Sequence, residues 1–231
     1  LLKNVLADKA IHSITKFTTL DYPHHLASIL WFAKCNMACP YCYNPQIVRE
    51  KGTISLEEAL HFLESRCNRL DSVVLSGGEC TLYPHLETFI HAIKALDYKI
   101  KIDTNGSNPI LLEKLIQQHL IDYVALDYKA PLMKYTELTH YGHVEQFEQS
   151  LALLLKASVP FEIRTTLHSD LLSENDINTI INDLHVKGYQ GTYYLQNYLH
   201  VEPTLGATKM QQHQFDLSKL TALVPIELRN F

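Results

Sequence analysis

The chain has 231 residues, of which 46% are apolar and 19% charged. A chain of this length buries about 70% of its unfolded surface, and this composition excludes a disordered or collagen-like protein. The net charge is -5, with lysines and arginines scattered rather than in runs, so no broad nucleic-acid-binding face is expected.

The predicted elements alternate between short apolar runs and helical patterns. Residues 28–34 (SILWFAK) read as a strand and 55–67 as a helix. Ser55 and Glu58 make a capping-box pattern there, with Leu56, Leu60, Leu63 and Cys67 along one face. A strand at 72–76 leads to a helix carrying Leu86, Phe89, Ile90 and Ile93, and 98–103 is the next strand. Asn108 and Pro109 suit the cap and first position of a helix running to about residue 119. A strand at 123–127 precedes a helix at 147–157, and a strand at 161–166 precedes a helix begun by Ser173. The sixth strand covers 192–196.

Six strands separated by helices predict an α/β fold with parallel strands and right-handed crossovers. A doubly wound sheet and a partial barrel both fit this string. In the later strands Lys101 and Asp103 oppose Ile100 and Ile102. Likewise Glu162, Arg164 and Thr166 oppose Phe161, Ile163 and Thr165, while Tyr194 and Gln196 oppose Tyr193 and Leu195. A sheet covered by helices on both faces has two apolar faces. One charged face points instead to an incompletely closed barrel with a wet, ligand-holding interior, or to ion pairs near strand ends.

No stretch is long and apolar enough to span a bilayer, and no leader pattern is seen at the N-terminus. With an odd count of five cysteines, this predicts a cytoplasmic protein. Cys67 reads as core and Trp31 as packing, and His140 and His143 read as solvated loop residues.

Cys35, Cys39 and Cys42 follow the first strand with the spacing C-x3-C-x2-C. Thiolates are soft ligands for zinc or for iron–sulfur clusters. Structural zinc takes four ligands, and electron-transfer clusters normally take four cysteines. Three cysteines leave one iron of a four-iron cluster open. Next come Ser76-Gly77-Gly78-Glu79, where glycines permit close backbone approach and Glu79 can accept from an ammonium. Asp103-Thr104-Asn105-Gly106 and Asp127-Tyr128-Lys129 end the following strands. Every candidate thus lies at the C-terminal rim of a strand, where parallel barrels place their active sites.

CNMACPYCYN followed by SGGECTL resembles the radical S-adenosylmethionine (SAM) superfamily. The segments KFTTLDYP, KIDTNGSNP, DYVALDYKAP and FEIRTTLH resemble the activating enzymes of glycyl-radical proteins, above all the anaerobic ribonucleoside-triphosphate reductase activating group. The resemblance spans about residues 11–200 of a single 1–231 domain, leaving 201–231, with Pro203 and Gly206, as an extension or cap. It implies a partial (β/α)6 TIM-like barrel. It also implies a [4Fe–4S] cluster on Cys35, Cys39 and Cys42, with SAM at the open iron.

Carried over residue by residue, Tyr41 contacts the adenine region and Gly77, Gly78 and Glu79 hold the methionine amine. Asp103 and Asp127 lie near the methionine end, beside a bound cation, and Asn105 and Lys129 belong to the same site. Arg164, Thr166 and His168 close around the ribose and carboxylate. The implied chemistry is one-electron cleavage of SAM to a 5′-deoxyadenosyl radical, which takes a hydrogen atom from a glycine of a partner enzyme. A flavodoxin- or ferredoxin-like protein would donate the electron.

Two positions depart from the family pattern. Cys80 stands where proline is common, and Tyr43 where close relatives often have histidine. The rival readings are a small-molecule radical SAM enzyme of the carboxy-deazaguanine synthase kind, a zinc scaffold and an electron-transfer module.

Overall fold

The computed structural model describes residues 5–231, so the first four residues of the expected domain lie outside it. Strand order in the sheet is that of the chain, β1 through β8. A doubly wound sheet reverses its strand order at a switch point, whereas a barrel adds each crossover strand on the same side. The order therefore decides for the barrel-type α/β fold.

The described residues divide into two compact units. The first comprises residues up to Asn36, Gln46–Thr104 and Asn108–Val124. Its strands are β1 (Ile11–Thr18), β2 (Ala27–Phe32), β3 (Ser72–Gly77) and β4 (Lys99–Thr104). Strand β1 runs antiparallel to β2, whereas β2, β3 and β4 are parallel. Helix α1 is Pro45–Arg49. Helix α2 (Leu56–Glu64) starts at the predicted Ser55–Glu58 capping box. It ends before Cys67, so its buried stripe is Leu56, Ala59 and Leu63, with Leu60 only half-buried. Cys67 is a half-buried thiol that donates weakly to Leu63 O at 3.7 Å. Helix α3 (Leu86–Lys94) buries all four expected residues, and Asn108 caps α4 (Pro109–Gln117) with Pro109 in its first turn. Trp31 donates to Thr15 Oγ1 at 2.9 Å and packs beside Tyr22, Ala27, Ile29 and Val74.

Strand β5 (Tyr123–Asp127) matches its predicted bounds. The second unit comprises Met37–Pro45, Asn105–Ser107 and Ala125–Phe231. It carries α5 (Leu132–Thr139), α6 (Val144–Leu154), β6 (Phe161–Leu167), α7 (Glu174–Val186), β7 (Tyr193–Asn197) and β8 (Ile226–Arg229). Strands β6, β7 and β8 are parallel. No helix among the described residues is long and apolar enough to cross a membrane.

Helix α1, strand β1, helix α5 and strand β8 escape the sequence reading. Strand β1 has irregular register between Ile11 and Ser13 and between Thr15 and Thr18, which breaks the period-2 pattern. Helix α5 buries Tyr135, Leu138 and Thr139 but fully exposes Met133, so its apolar stripe is blurred. Strand β8 is only four residues long.

The charged strand face is laced with ion pairs. Lys101, 2% exposed, lies 3.0 Å from Asp103 and donates to Asp21 O at 2.6 Å. In the second unit Arg229 holds both oxygens of buried Glu162, at 3.4 and 3.1 Å, with its guanidinium 3.7 Å from the Tyr194 ring centroid. Removing one partner of a buried pair strands the other charge. Because Arg229 is a third exposed, Arg229→Met is expected to cost about 2 kcal/mol in urea unfolding. Adding Glu162→Gln should recover part of that loss; an additive double mutant would show that the pair is not coupled.

Candidate functional site

In the first unit, candidate residues lie at the end of β3. The Gly78 N–H donates to Phe32 O and the Glu79 N–H to Lys34 O, both at 2.9 Å, so this turn lies flat against the chain entering Cys35. The glycines are what allow it. Gly77 has φ +124, and a Cβ there would stand 2.2 Å from Phe32 O. A Cβ on Gly78 would stand 1.9 Å from Lys34 O and 3.0 Å from Cys35 N. The Gly-Gly pair therefore seats the first cysteine.

Glu79 is 2% exposed and caps the short 3-10 helix Cys80–Leu82. Its Oε1 accepts from Thr81 N at 3.1 Å, Thr81 Oγ1 at 2.6 Å and Thr104 Oγ1 at 2.9 Å. Asp103 is held by Lys101 and by Ser76 Oγ at 3.1 Å. Cys35, Gly77, Gly78, Glu79 and Asp103 are thus tied together within this unit. The sequence reading missed Thr81, Thr104 and Ser76 as supports. The signal for Thr81 was its position two residues after Glu79, a cap spacing.

Cys80 is fully buried. Its thiol donates weakly to Leu75 O at 3.5 Å and Asp103 O at 3.6 Å. Burial, then Glu79 and Asp103, push its pKa well up. It is a space-filling thiol, inert by this criterion.

The second unit includes Met37–Pro45, with Cys39 and Cys42. The Ala38 N–H donates to Thr139 O at the end of α5 at 2.8 Å, and the Cys42 N–H closes a turn on Cys39 O at 3.1 Å. Cys39 is buried and Cys42 half-buried. Burial pushes the Cys39 thiol up, against the Lys129 ammonium, which pulls it down. Tyr41 is 4% exposed, and its hydroxyl has no hydrogen-bond partner among the described residues. Burial raises its pKa well above the usual value, with the nearby Cys39 and Asp127 adding to the effect.

At the end of β5, Asp127 accepts from Lys129 Nζ at 2.8 Å and from Arg164 Nε at 2.5 Å. Burial alone would raise the Asp127 pKa, but Arg164 and Lys129 outweigh it and hold it well below the carboxylate range. Burial likewise opposes the Lys129 charge, but Asp127 and Cys39 push its pKa up. All three groups are ionised, with two cations on one carboxylate. Cys39, Tyr41, Cys42, Asp127, Lys129 and Arg164 therefore share one electrostatic neighbourhood.

Asn105 is buried in a turn, where its Oδ1 accepts from Ser107 N at 3.0 Å and its carbonyl from Tyr135 Oη at 3.4 Å. Thr166 is half-buried on β6. His168 is buried. Its Nε2 donates to Lys209 O at 3.0 Å and its Nδ1 accepts from Asp170 N at 3.3 Å, which commits both ring nitrogens. Tyr43 stacks on Tyr198, with ring centroids 5.4 Å apart. Among the described residues, no three His, Cys, Asp or Glu side chains converge as ligands of a single ion would.

The profile of the radical SAM superfamily matches residues 29–184. The chain belongs to the radical SAM superfamily. A Methanocaldococcus jannaschii protein provisionally named a glycyl-radical enzyme activating enzyme is 34% identical over 178 residues, 74% of this chain and 73% of that protein. The 7-carboxy-7-deazaguanine synthase of Neisseria meningitidis is 34% identical over 97 residues, 42% of this chain and 41% of that enzyme. The structure of Streptococcus suis SuiB bound to S-adenosylmethionine superposes with a TM-score of 0.64 at 17% identity, over 87% of this chain and 52% of SuiB. That likeness shows the shared fold, a partial (β/α) barrel. The chain thus spans about half of SuiB and less than half of the synthase.

The radical SAM family uses a [4Fe–4S] cluster and SAM. The residues of this chain fit both. Cys35, Cys39 and Cys42 are not engaged in disulfides, and thiolates are the soft donor set that iron–sulfur clusters take. The buried, unpartnered Tyr41 hydroxyl is the kind of polar atom a ligand meets.

Proposed function

We propose that this radical SAM protein is an activase that installs a radical on a glycine of a partner enzyme, with anaerobic ribonucleotide reductase as the first candidate. The observation that carries the reading is the 34% identity to the M. jannaschii activating enzyme over three quarters of this chain. That SuiB has also been captured with its precursor peptide SuiA supports a polypeptide substrate for this fold. The deazaguanine synthase match supports the small-molecule rival, but over a shorter stretch.

When bound, the cluster and SAM supply one-electron cleavage of the sulfonium, giving methionine and an oxidant able to take hydrogen from carbon. The chain's own residues bind and orient. Cys35, Cys39 and Cys42 hold the cluster, and Gly77 and Gly78 bring backbone close to the methionine amine, with Glu79 as an acceptor fixed by Thr81 and Thr104. Arg164 and Lys129 keep Asp127 ionised and leave positive charge for an anionic group. Asp103 and Asp127 already carry protein cations, so the reading needs no bound metal cation beside them. The electron comes from a flavodoxin- or ferredoxin-like donor in a reducing cytoplasm.

The test is anaerobic. The protein is reconstituted with iron and sulfide, reduced, and mixed with SAM and the reductase of the same organism. The expected result is 5′-deoxyadenosine together with a glycyl-radical EPR signal that requires all components. Turnover stimulated by the small-molecule fraction of an extract, and not by its protein fraction, would move the assignment to the rival.

A further inference from the structure

After β7 the chain runs from 198 to 213 without helix or strand, yet it is tied down at two distant places. At one place it grips the cysteine loop. The Leu205 N–H donates to Cys42 O at 3.1 Å and the Gly206 N–H to Pro40 O at 2.9 Å. The Leu199 N–H donates to Tyr43 Oη at 2.9 Å, beneath the stacked Tyr43 and Tyr198 rings. The approach is close enough that a Cβ on Gly206 would stand 2.6 Å from Pro40 Cβ.

At the other place the segment is fastened to the loop after β6. His168 Nε2 donates to Lys209 O, and the Ser169 N–H to Gln211 Oε1 at 2.8 Å. The Asp170 carboxylate accepts the N–H groups of Gln212 and His213, both at 3.0 Å. Between the two, Gln211 Nε2 donates to Asn197 Oδ1 at 3.0 Å and Tyr198 O at 3.1 Å, and the Thr208 N–H donates to buried Thr204 at 2.7 Å.

We propose that residues 198–213 are a strap that positions the cysteine loop, with Asp170 as its remote anchor. The carbonyls it holds belong to Pro40 and Cys42, on either side of Tyr41. Fixing the Cys42 carbonyl fixes the peptide plane that leaves Cys42, and fixing the Pro40 carbonyl fixes the plane that enters Tyr41, the role that hydrogen bonds behind a ligand play at metal sites. The inference rests on reading Cys42 as a cluster ligand. It gives the C-terminal extension a task that sequence similarity over the core does not supply. Asp170, Leu205 and Gly206 are positioning residues.

The test uses Asp170→Ala in the full chain, a change at an exposed residue whose partners are His168, Gln212 and His213. In the metal-free protein, hydrogen exchange at Leu199, Leu205 and Gly206 should speed up about tenfold, the scale of one or two lost hydrogen bonds. After reconstitution, iron content should match the parent while the EPR g-values of the reduced cluster shift on adding SAM. Exchange that accelerates only at Gln212 and His213 would overturn the strap. Accelerated exchange with an unchanged EPR spectrum would overturn its positioning role. If Asp170→Ala does not fold, Asp170→Asn, which keeps one acceptor oxygen, carries the same two readouts with a smaller expected change. Neither readout needs the partner enzyme, so failure of the activase assignment leaves the test intact. Loss of EPR signal and iron in Cys42→Ala, or their retention, decides the ligand assignment separately.

Discussion

Cys39→Ala is expected to lose essentially all bound iron after reconstitution, from about four per chain in the parent, and with it all SAM cleavage. On the proposed ligand set three thiols serve a four-iron cluster, so no ligand is spare. The remaining cysteines are poor replacements. Cys80 is fully buried, its thiol directed at the carbonyls of Leu75 and Asp103 and its pKa pushed well up by burial, Glu79 and Asp103. Cys67 lies just beyond α2 and donates to Leu63 O. The thiolate is the metal ligand, and the buried Cys80 thiol is not placed to become one readily. Cys80→Ala is the matched control and should keep its iron. Iron and sulfide analysis with 5′-deoxyadenosine chromatography checks both variants. Retained iron with retained cleavage in Cys39→Ala would remove this residue from the ligand set.

What the sequence revealed and what it hid follow a physical division. The Gly-Gly turn and the caps at Ser55, Asn108 and Ser173 are local, and each is legible because a few adjacent residues satisfy backbone groups. That Ile100, Ile102 and Ile163 are core residues was also legible, and all three are buried. Whether the charges opposite them face a ligand or each other was not, because Glu162 meets Arg229 across 67 residues of chain. Strand β8, which brings Arg229, has no pattern strong enough to read alone. His168 shows the same limit. Its ring donates to Lys209 O, 41 residues later, a contact with no local signal. The strap has no periodicity, and its hydrogen bonds to Pro40 and Cys42 exist only in three dimensions.

Gly78→Ala is expected to be among the most destabilising methyl groups that can be added to this chain. The new Cβ would fall 1.9 Å from Lys34 O and 2.5 Å from Lys34 C. These are backbone atoms, so no side chain can swing aside. Relief requires the turn to lift, which breaks the 2.9 Å hydrogen bonds from Gly78 N–H to Phe32 O and from Glu79 N–H to Lys34 O. Overpacking in a tight interior costs about 1–3 kcal/mol, and the loss of two buried hydrogen bonds carries this site to the top of that range or beyond. For a chain of this size, about 3 kcal/mol lowers Tm by roughly 6–12 °C. The same displacement moves the backbone at Cys35 N, 3.0 Å from the added atom, so iron incorporation should fall in parallel. Gly142→Ala is the internal control, because a Cβ at Gly142 meets nothing within 4 Å. Urea unfolding of the metal-free proteins separates the two effects, since it reads the turn without the cluster. If Gly78→Ala unfolds at the parent's urea midpoint, the close approach of this turn to the Cys35 backbone is wrong. If stability falls while iron loading stays whole, the Gly-Gly pair serves the fold alone and does not seat the first cysteine.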